Sequence, residues 1–191
     1  MPDTRKRERL ETSRLVLRRP TADDLDGIFA YASDPDVTRY VGFPRHLSLD
    51  QTRGFLAWSD EHWTRWPAGP MVVQRRGSDD IVGASGLTFD TLRCAQTGYV
   101  FARHAWGHGY ATETLGAMVQ LARECGVIRL YANCHCRHRA SAHVLEKGGF
   151  TLEGLLRRYA EFPNLGAALE DVLGYAVILE NLSGTEGKMR S

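Results

Sequence analysis

The chain lacks a long apolar run, an appreciable excess of either charge and any cysteine framework, and each absence removes a class of function. Without a stretch of about 20 apolar residues no helix would cross a bilayer. The N-terminus carries charges where a signal peptide needs an apolar segment. A cytoplasmic protein with no membrane partner is therefore expected. Lys and Arg number 24 against 23 Asp and Glu, so a net charge of +1 offers no general attraction to a polyanion, and nucleic acid is not expected as a partner. The cluster Arg5, Lys6, Arg7, Arg9, followed by Glu11, reads as a solvated tail rather than a binding arm. Cys94, Cys125, Cys134 and Cys136 lack the spacing of a secreted disulfide scaffold and are expected to be thiols. Neither a Gly-x-Gly-x-x-Gly fingerprint nor a Walker lysine is present, which argues against the common dinucleotide and nucleotide-phosphate motifs.

What is present suits one compact folded domain: 191 residues, 43% hydrophobic and 25% charged. Leu15-Val16-Leu17 reads as a strand stopped near Pro20. A helix capped by Thr21 or Asp23 carries Leu25, Ile28, Phe29 and Ala32 at helical spacing and is expected to end at Asp34-Pro35. A second helix is expected over residues 49–63, opened by Ser48 or Asp50. Met71-Val72-Val73 and Ile81-Val82-Gly83-Ala84 flank the turn-like Gly77-Ser78-Asp79-Asp80 and predict a hairpin. A strand over residues 98–101 then feeds a glycine-bearing loop and a helix striped by Ala111, Leu115, Met118, Val119 and Ala122, with Gly126 at its end. A strand over 128–132, a helix over 140–147 closed by Gly148-Gly149 and a strand over 172–179 complete a mixed α/β order. Fold class alone does not fix chemistry.

The chemically informative stretch runs from Tyr99, Val100 and Phe101 through His104, Ala105, Trp106, Gly107, His108 and Gly109 into Tyr110, Ala111, Thr112 and Glu113. A strand, a tight loop and a helix start in immediate succession present backbone N–H groups, backed by the positive end of the helix dipole, to an anion such as phosphate. Gly107 and Gly109 let that backbone approach a ligand closely. A bare Gly-x-Gly would equally serve a plain turn, but Trp106-Gly107-His108-Gly109-Tyr110-Ala111-Thr112-Glu113 resembles the acyl-CoA pyrophosphate loop of the GNAT acetyltransferase superfamily, in its RimJ/RimL-like branch. Leu10-Glu11-Thr12-Ser13-Arg14-Leu15, Asp34-Pro35-Asp36-Val37 and the run from Ala140 to Phe150 resemble further blocks of that family, in the same order. His104, where the family commonly has Gln or Arg, and His138, where it commonly has Asn, are departures.

The resemblance implies an acetyltransferase domain over residues 10–182 between tails at 1–9 and 183–191. It implies a strongly twisted, mostly antiparallel mixed sheet flanked by helices, with the strand around 98–101 splaying from the strand around 128–132 to form an acyl-CoA cleft. Acetyl-CoA would be the donor, a primary amine the acceptor, and transfer would be direct. The acceptor would be a protein N-terminal α-amine or a small-molecule amine; a non-catalytic CoA-binding module is the other reading. Tyr99, Val100, Phe101, the loop from His104 to Thr112, His138 and Ser141 would contact the cofactor, a main-chain N–H near residues 99–101 would polarise the thioester, and Ser141 would protonate the departing thiolate. Serine is also a good helix cap, which is the competing role for Ser141. Glu113, Glu161, Asp90 and His143 are all open as the base, and Glu113 also suits a first helical turn without contacting phosphate. Trp58, Trp63, Trp66 and Tyr40 could line an acceptor pocket or simply pack, and residues 157–159 and 162–166 are expected near its entrance. Cys134-His135-Cys136-x-His138 has zinc-like chemistry, but no second pair completes a tetrahedral set, so no metal is expected. A homodimer is plausible for the family.

Overall fold

The computed structural model describes residues 7–179. Its framework is an eight-stranded sheet in which β1 (Arg9–Glu11), β2 (Leu15–Arg18), β3 (Pro70–Arg75), β4 (Ile81–Thr91), β5 (Cys94–Phe101), β6 (Arg129–His135), β7 (Thr151–Glu161) and β8 (Leu169–Ile178) run in the order β1-β2-β3-β4-β5-β6-β8-β7. Every neighbouring pair is antiparallel except β5 and β6, which are parallel. The helices are α1 (Leu25–Ala32), α2 (Pro35–Thr38), α3 (Leu49–Arg65), α4 (Tyr110–Glu124) and α5 (Arg139–Lys147). The single α/β domain expected from the sequence is thus the observed one. The strand start at Arg9, paired with Arg18, lies one residue inside the predicted N-terminal tail. The predicted tail at 183–191 falls outside the described residues.

Local chemistry explains most boundaries. Thr21 and Asp24 form a capping box over a 3-10 turn (Ala22–Asp24) ahead of α1, and Arg18 grips the Asp24 carboxylate with two hydrogen bonds of 2.7 and 2.6 Å. Asp34-Pro35 does more than stop α1: Asp34 accepts from the N–H of Asp36 and Val37, and Pro35 opens α2, the first-turn position where proline sacrifices no bond. Ser48 and Gln51 box the start of α3. Gly126 follows α4 with φ +79°, the left-handed conformation that glycine adopts at a helix end without strain.

Strand alternation divides the core between the sheet's two faces. Val72, with Ala84 and Val100 against it, packs under Ile28, Tyr31 and Ala32 of α1. Leu15, Leu17, Met71, Val73, Leu87 and Phe101 meet Leu115, Met118, Leu121 and Ala122 of α4. Trp63 is fully buried with its indole N–H on the Pro70 carbonyl at 2.8 Å, and Trp66 stacks on Phe89 at 5.3 Å. Those two tryptophans are core, not acceptor pocket. The sequence indicated β4 only at residues 81–84 and β5 only at 98–101; in fact both continue through a hairpin that turns at Leu92-Arg93, with Leu87 opposite Thr97 and Phe89 opposite Ala95.

The decisive feature for function is where the β5–β6 ladder stops. It joins Cys94 to Arg129, Ala95 to Leu130 and Gln96 to Tyr131, whereas β5 stays paired with β4 as far as Phe101 and β6 stays paired with β8 as far as His135. The two strands splay beyond that point. The opening lies against residues 132–135, so the predicted partner segment 128–132 is mostly the closed part of the ladder.

Candidate active site

The N–H of Ala102 donates to Val82 of β4 at 2.8 Å, and backbone groups alternate sides along a strand. The N–H groups of Tyr99 and Phe101 therefore point away from β4, into the wedge. This is the main-chain edge to which an extended pantetheine arm would add as a strand. At the open end Trp106 folds back and its indole N–H donates to the Phe101 carbonyl at 2.7 Å, fixing the loop to the strand tip.

Beyond a second 3-10 turn (Arg103–Ala105), Gly107 and Gly109 have φ of +79° and +76°. Both values lie where an L side chain is strained, so the loop's path needs glycine. The first bond of α4 runs from Glu113 N–H to the Gly109 carbonyl at 3.1 Å; the N–H groups of Tyr110, Ala111 and Thr112 precede it and head the helix. His108 stacks on Tyr110 with ring centres 5.5 Å apart. Wedge and loop together fit the two ends of an acyl-CoA, a neutral extended arm and a diphosphate. His104 instead lies out toward Asp80, at 3.7 Å, and Arg103 pairs with Asp34 and Asp36.

Across the wedge, the Tyr99 hydroxyl lies 3.0 Å from both the carbonyl oxygen and Oγ of Ser141. Ser141 sits in the first turn of α5; the N-cap position belongs to His138, whose side chain makes no capping bond, so Ser141 is not the cap residue. Burial pushes the Tyr99 phenol up to about 12, although the Ser141 hydroxyl opposes this, and it pushes the Cys134 thiol up to about 11 in the same way. Tyr99 thus stays a proton-bearing donor at neutral pH. Cys134 stays a thiol, which disfavours a covalent acyl-enzyme through that residue.

The other face of β6 carries a group that the sequence did not announce. His135 is fully buried between the Tyr40 ring (4.8 Å) and the edge-on Phe162 ring (4.8 Å). Its Nδ1 accepts from the Arg137 N–H at 3.0 Å, which leaves the proton on Nε2, 3.2 Å from the Glu170 carboxylate. Both ring nitrogens are thereby engaged within the protein. His138 joins this group through Tyr40 at 5.1 Å, and burial, then the neighbouring His135, lowers its pKa. Asn164 ties the surrounding loops together: Nδ2 donates to the carbonyls of Thr38 and Phe43 (2.7 and 2.9 Å), while Oδ1 accepts from the Arg45 N–H at 2.8 Å. Of the aromatic residues offered for an acceptor pocket, Tyr40 belongs here; Trp58 is exposed beside Phe55 and His62. The strand end after His135 also separates Cys136 from Cys134, and the Cys136 N–H donates to Asp171.

Comparison with known proteins decides what this arrangement is. A family model described as an acetyltransferase (GNAT) domain matches residues 14–151. The chain belongs to the GNAT acetyltransferase family. It is 32% identical over 160 residues to the uncharacterized N-acetyltransferase YoaA of Bacillus subtilis, covering 78% of this chain and 86% of that one. Among solved structures, RimL, a ribosomal L7/L12 alpha-N-protein acetyltransferase in complex with coenzyme A, superposes with a TM-score of 0.78 at 20% identity, covering 91% of this chain and 99% of that one. A spermidine N-acetyltransferase from Vibrio cholerae, in complex with CoA and spermine, superposes at 0.75 and 18% identity over 87% and 96% of the two chains. This GNAT protein is an acyl-CoA-dependent N-acetyltransferase, and acetyl-CoA is its donor. Among the described residues no helix is long and apolar enough to cross a membrane.

Proposed function

We propose that this acetyltransferase acts by direct attack of a protein N-terminal α-amine on the thioester, with the Ser141 hydroxyl protonating the departing thiolate. The observation that carries the chemistry is the Tyr99–Ser141 pair, which links β5 to the first turn of α5 at 3.0 Å. Tyr99 contributes twice: its N–H faces the wedge, where a carbonyl oxygen gaining negative charge needs a donor, and its hydroxyl holds Ser141 in place. Ser141 hydrogen-bonds the sulfur as the thiolate forms and relays to it the proton that the attacking amine loses, so that the thiol leaves neutral and the serine hydroxyl is restored; the interaction strengthens as charge develops and therefore acts on the rate. Val100 and Phe101 extend the same strand edge, and the loop from Ala105 through Thr112 is the proposed diphosphate cradle, its contacts made mainly by backbone around Gly107 and Gly109, with the His104 side chain turned away toward Asp80. His138, at the head of α5 with its ring 5.1 Å from that of Tyr40, is the further residue proposed to contact the donor.

The acceptor reading follows from what the mouth can do with a proton. Glu170, the carboxylate beside His135, is already engaged by that ring at 3.2 Å and by Arg137 at 3.6 Å. It is poorly placed to strip a proton from a strongly basic amine. An α-amine with pKa about 8 has a useful neutral fraction near pH 7, whereas a lysine-like amine near about 10.4 needs a stronger base. Labelled acetyl-CoA offered to cell extract, and to peptides with free or blocked N-termini beside polyamines, tests the proposal. Label on free N-termini supports it. Label confined to small amines rejects the acceptor assignment, and tight CoA binding without turnover on any amine rejects catalysis.

A further inference from the structure

The carboxylate of Glu113 stands in the first turn of α4, beside the place proposed for a diphosphate, where a free negative charge would oppose the ligand. Its surroundings resolve that conflict. Oε1 accepts from Thr12 Oγ1 at 2.6 Å, Ser13 Oγ at 2.9 Å and the Arg14 backbone N–H at 2.9 Å, and Oε2 accepts from the Arg14 guanidinium at 2.7 Å. The same guanidinium reaches over the loop: Nη1 donates to the His108 carbonyl at 2.9 Å, and the cation lies 5.0 Å from the centre of the Tyr110 ring. A β-carbon added at Gly109 would come within 3.6 Å of Nη2. Two segments about a hundred residues apart are thus joined by a single carboxylate and a single arginine.

We infer that Thr12, Ser13, Arg14 and Glu113 form a clamp that sets the shape of the phosphate loop, with Arg14 and Glu113 as positioning residues for acetyl-CoA. Three features carry the inference. First, the pair is neutral as a unit, so the carboxylate does not cancel the field of the N–H groups at the head of α4. Second, no Arg or Lys occurs between Trp106 and Glu113, and the cation that contacts the loop at His108 and Tyr110 comes from the turn between β1 and β2. Third, the bond to the His108 carbonyl fixes the peptide between Gly107 and Gly109, the two residues whose left-handed backbone would otherwise be the loosest part of the loop. Burial alone would raise the Glu113 pKa, but the hydrogen bonds from Thr12, Arg14 and Ser13 outweigh it and hold the group at about 2, so the clamp is closed throughout the working pH range. The inference rests on acetyl-CoA binding at this loop and is independent of the acceptor.

The test is a split between KM and kcat, with CoA dissociation constants from calorimetry and melting temperatures on the same proteins. Glu113→Ala and Arg14→Ala should each raise the acetyl-CoA KM and the CoA Kd by about 10- to 100-fold, with kcat at saturating donor within about three-fold of the parent. The double variant should be scarcely worse than either single one, because both remove one clamp. Arg14→Lys retains charge but cannot span Glu113 and the His108 carbonyl together, and should raise KM by about 3- to 10-fold. It also serves should the alanine variants fail to fold. A lowered melting temperature with unchanged CoA affinity would reduce the node to a structural tie, and fully additive losses would overturn the joint clamp. Loss of kcat with an unaltered KM would place Glu113 in the chemistry instead.

Discussion

The two sides of the wedge are built by different means. On the donor side, residues 98–113 form a strand, a loop and a helix start in one continuous run, and most contacts offered to a ligand are backbone groups. On the side proposed for the acceptor, Tyr40, His135, His138, Phe162, Asn164 and Glu170 come from segments spread between residues 40 and 170, and what they offer is side chains. A backbone site is fixed by fold and tolerates most side-chain changes short of removing a glycine. A side-chain site can be altered one residue at a time. A protein α-N-acetyltransferase and a spermidine N-acetyltransferase both superpose on this fold.

The largest effect that would sharpen this comparison is expected at Ser141, which faces Tyr99 from the first turn of α5 and acts through its hydroxyl. Ser141→Ala should lower kcat by about 10- to 1,000-fold with little change in acetyl-CoA affinity. Because His138 rather than Ser141 is the N-cap of α5, the variant should not show the loss of about 1 kcal/mol that removal of a cap brings. Tyr99→Phe should share the direction with a smaller loss. Full activity in both variants would leave the thiolate without its proposed donor. Next in size, Gly109→Val places a branched residue at φ +76° and should raise the donor KM by about ten-fold or more while leaving the acceptor KM alone. Movement of both constants together would break the separation between the two sides.

Asn164→Ala should act in the opposite sense, raising the acceptor KM by about 3- to 30-fold with donor affinity kept, since it frees three backbone groups around the mouth and none in the phosphate loop. Initial rates with each substrate varied in turn would decide it. The smallest effect concerns pH. Folding depresses the Glu113 pKa to about 2, so its contribution to stability is complete above its unfolded value near about 4.3 and is lost as pH falls from there toward 2. Melting curves should show the gap between the parent and Glu113→Gln narrowing over that acid interval and staying constant from pH 6 to 8.

The same contrast decides what could be read from the sequence. The glycine loop ahead of α4 and the α4 stripe were legible because their signals are local: two glycines between a strand and a helix, and apolar residues three or four apart. The extension of β4 and β5 was not, because their turn at Leu92-Arg93 holds none of the glycine, asparagine or proline that ordinarily announces a hairpin. Glu113 was misleading for another reason. An acidic residue in a first helical turn has a sufficient local explanation in the helix dipole, and that hid its bonds to residues 12–14. His135 looked like part of a broken zinc motif; its ring partners, Tyr40 and Phe162, are visible only once the segments after α2 and after β7 have been folded against β6.

A three-pair ladder makes a narrow seam. β1 through β5 form one antiparallel block and β6, β8 and β7 another, and within the sheet the two meet only from Cys94↔Arg129 to Gln96↔Tyr131. A donor lying along the open edges would act as the strand the sheet omits, adding hydrogen bonds between blocks that the polypeptide leaves unjoined. Acetyl-CoA is then a structural member as well as a reactant. Its binding raises stability by mass action, and amide exchange should slow on both banks of the seam, in residues 97–101 and 132–135 alike, rather than around the phosphate loop alone. Between turnovers, when the spent donor departs, the enzyme returns to a sheet held at its centre by those few bonds.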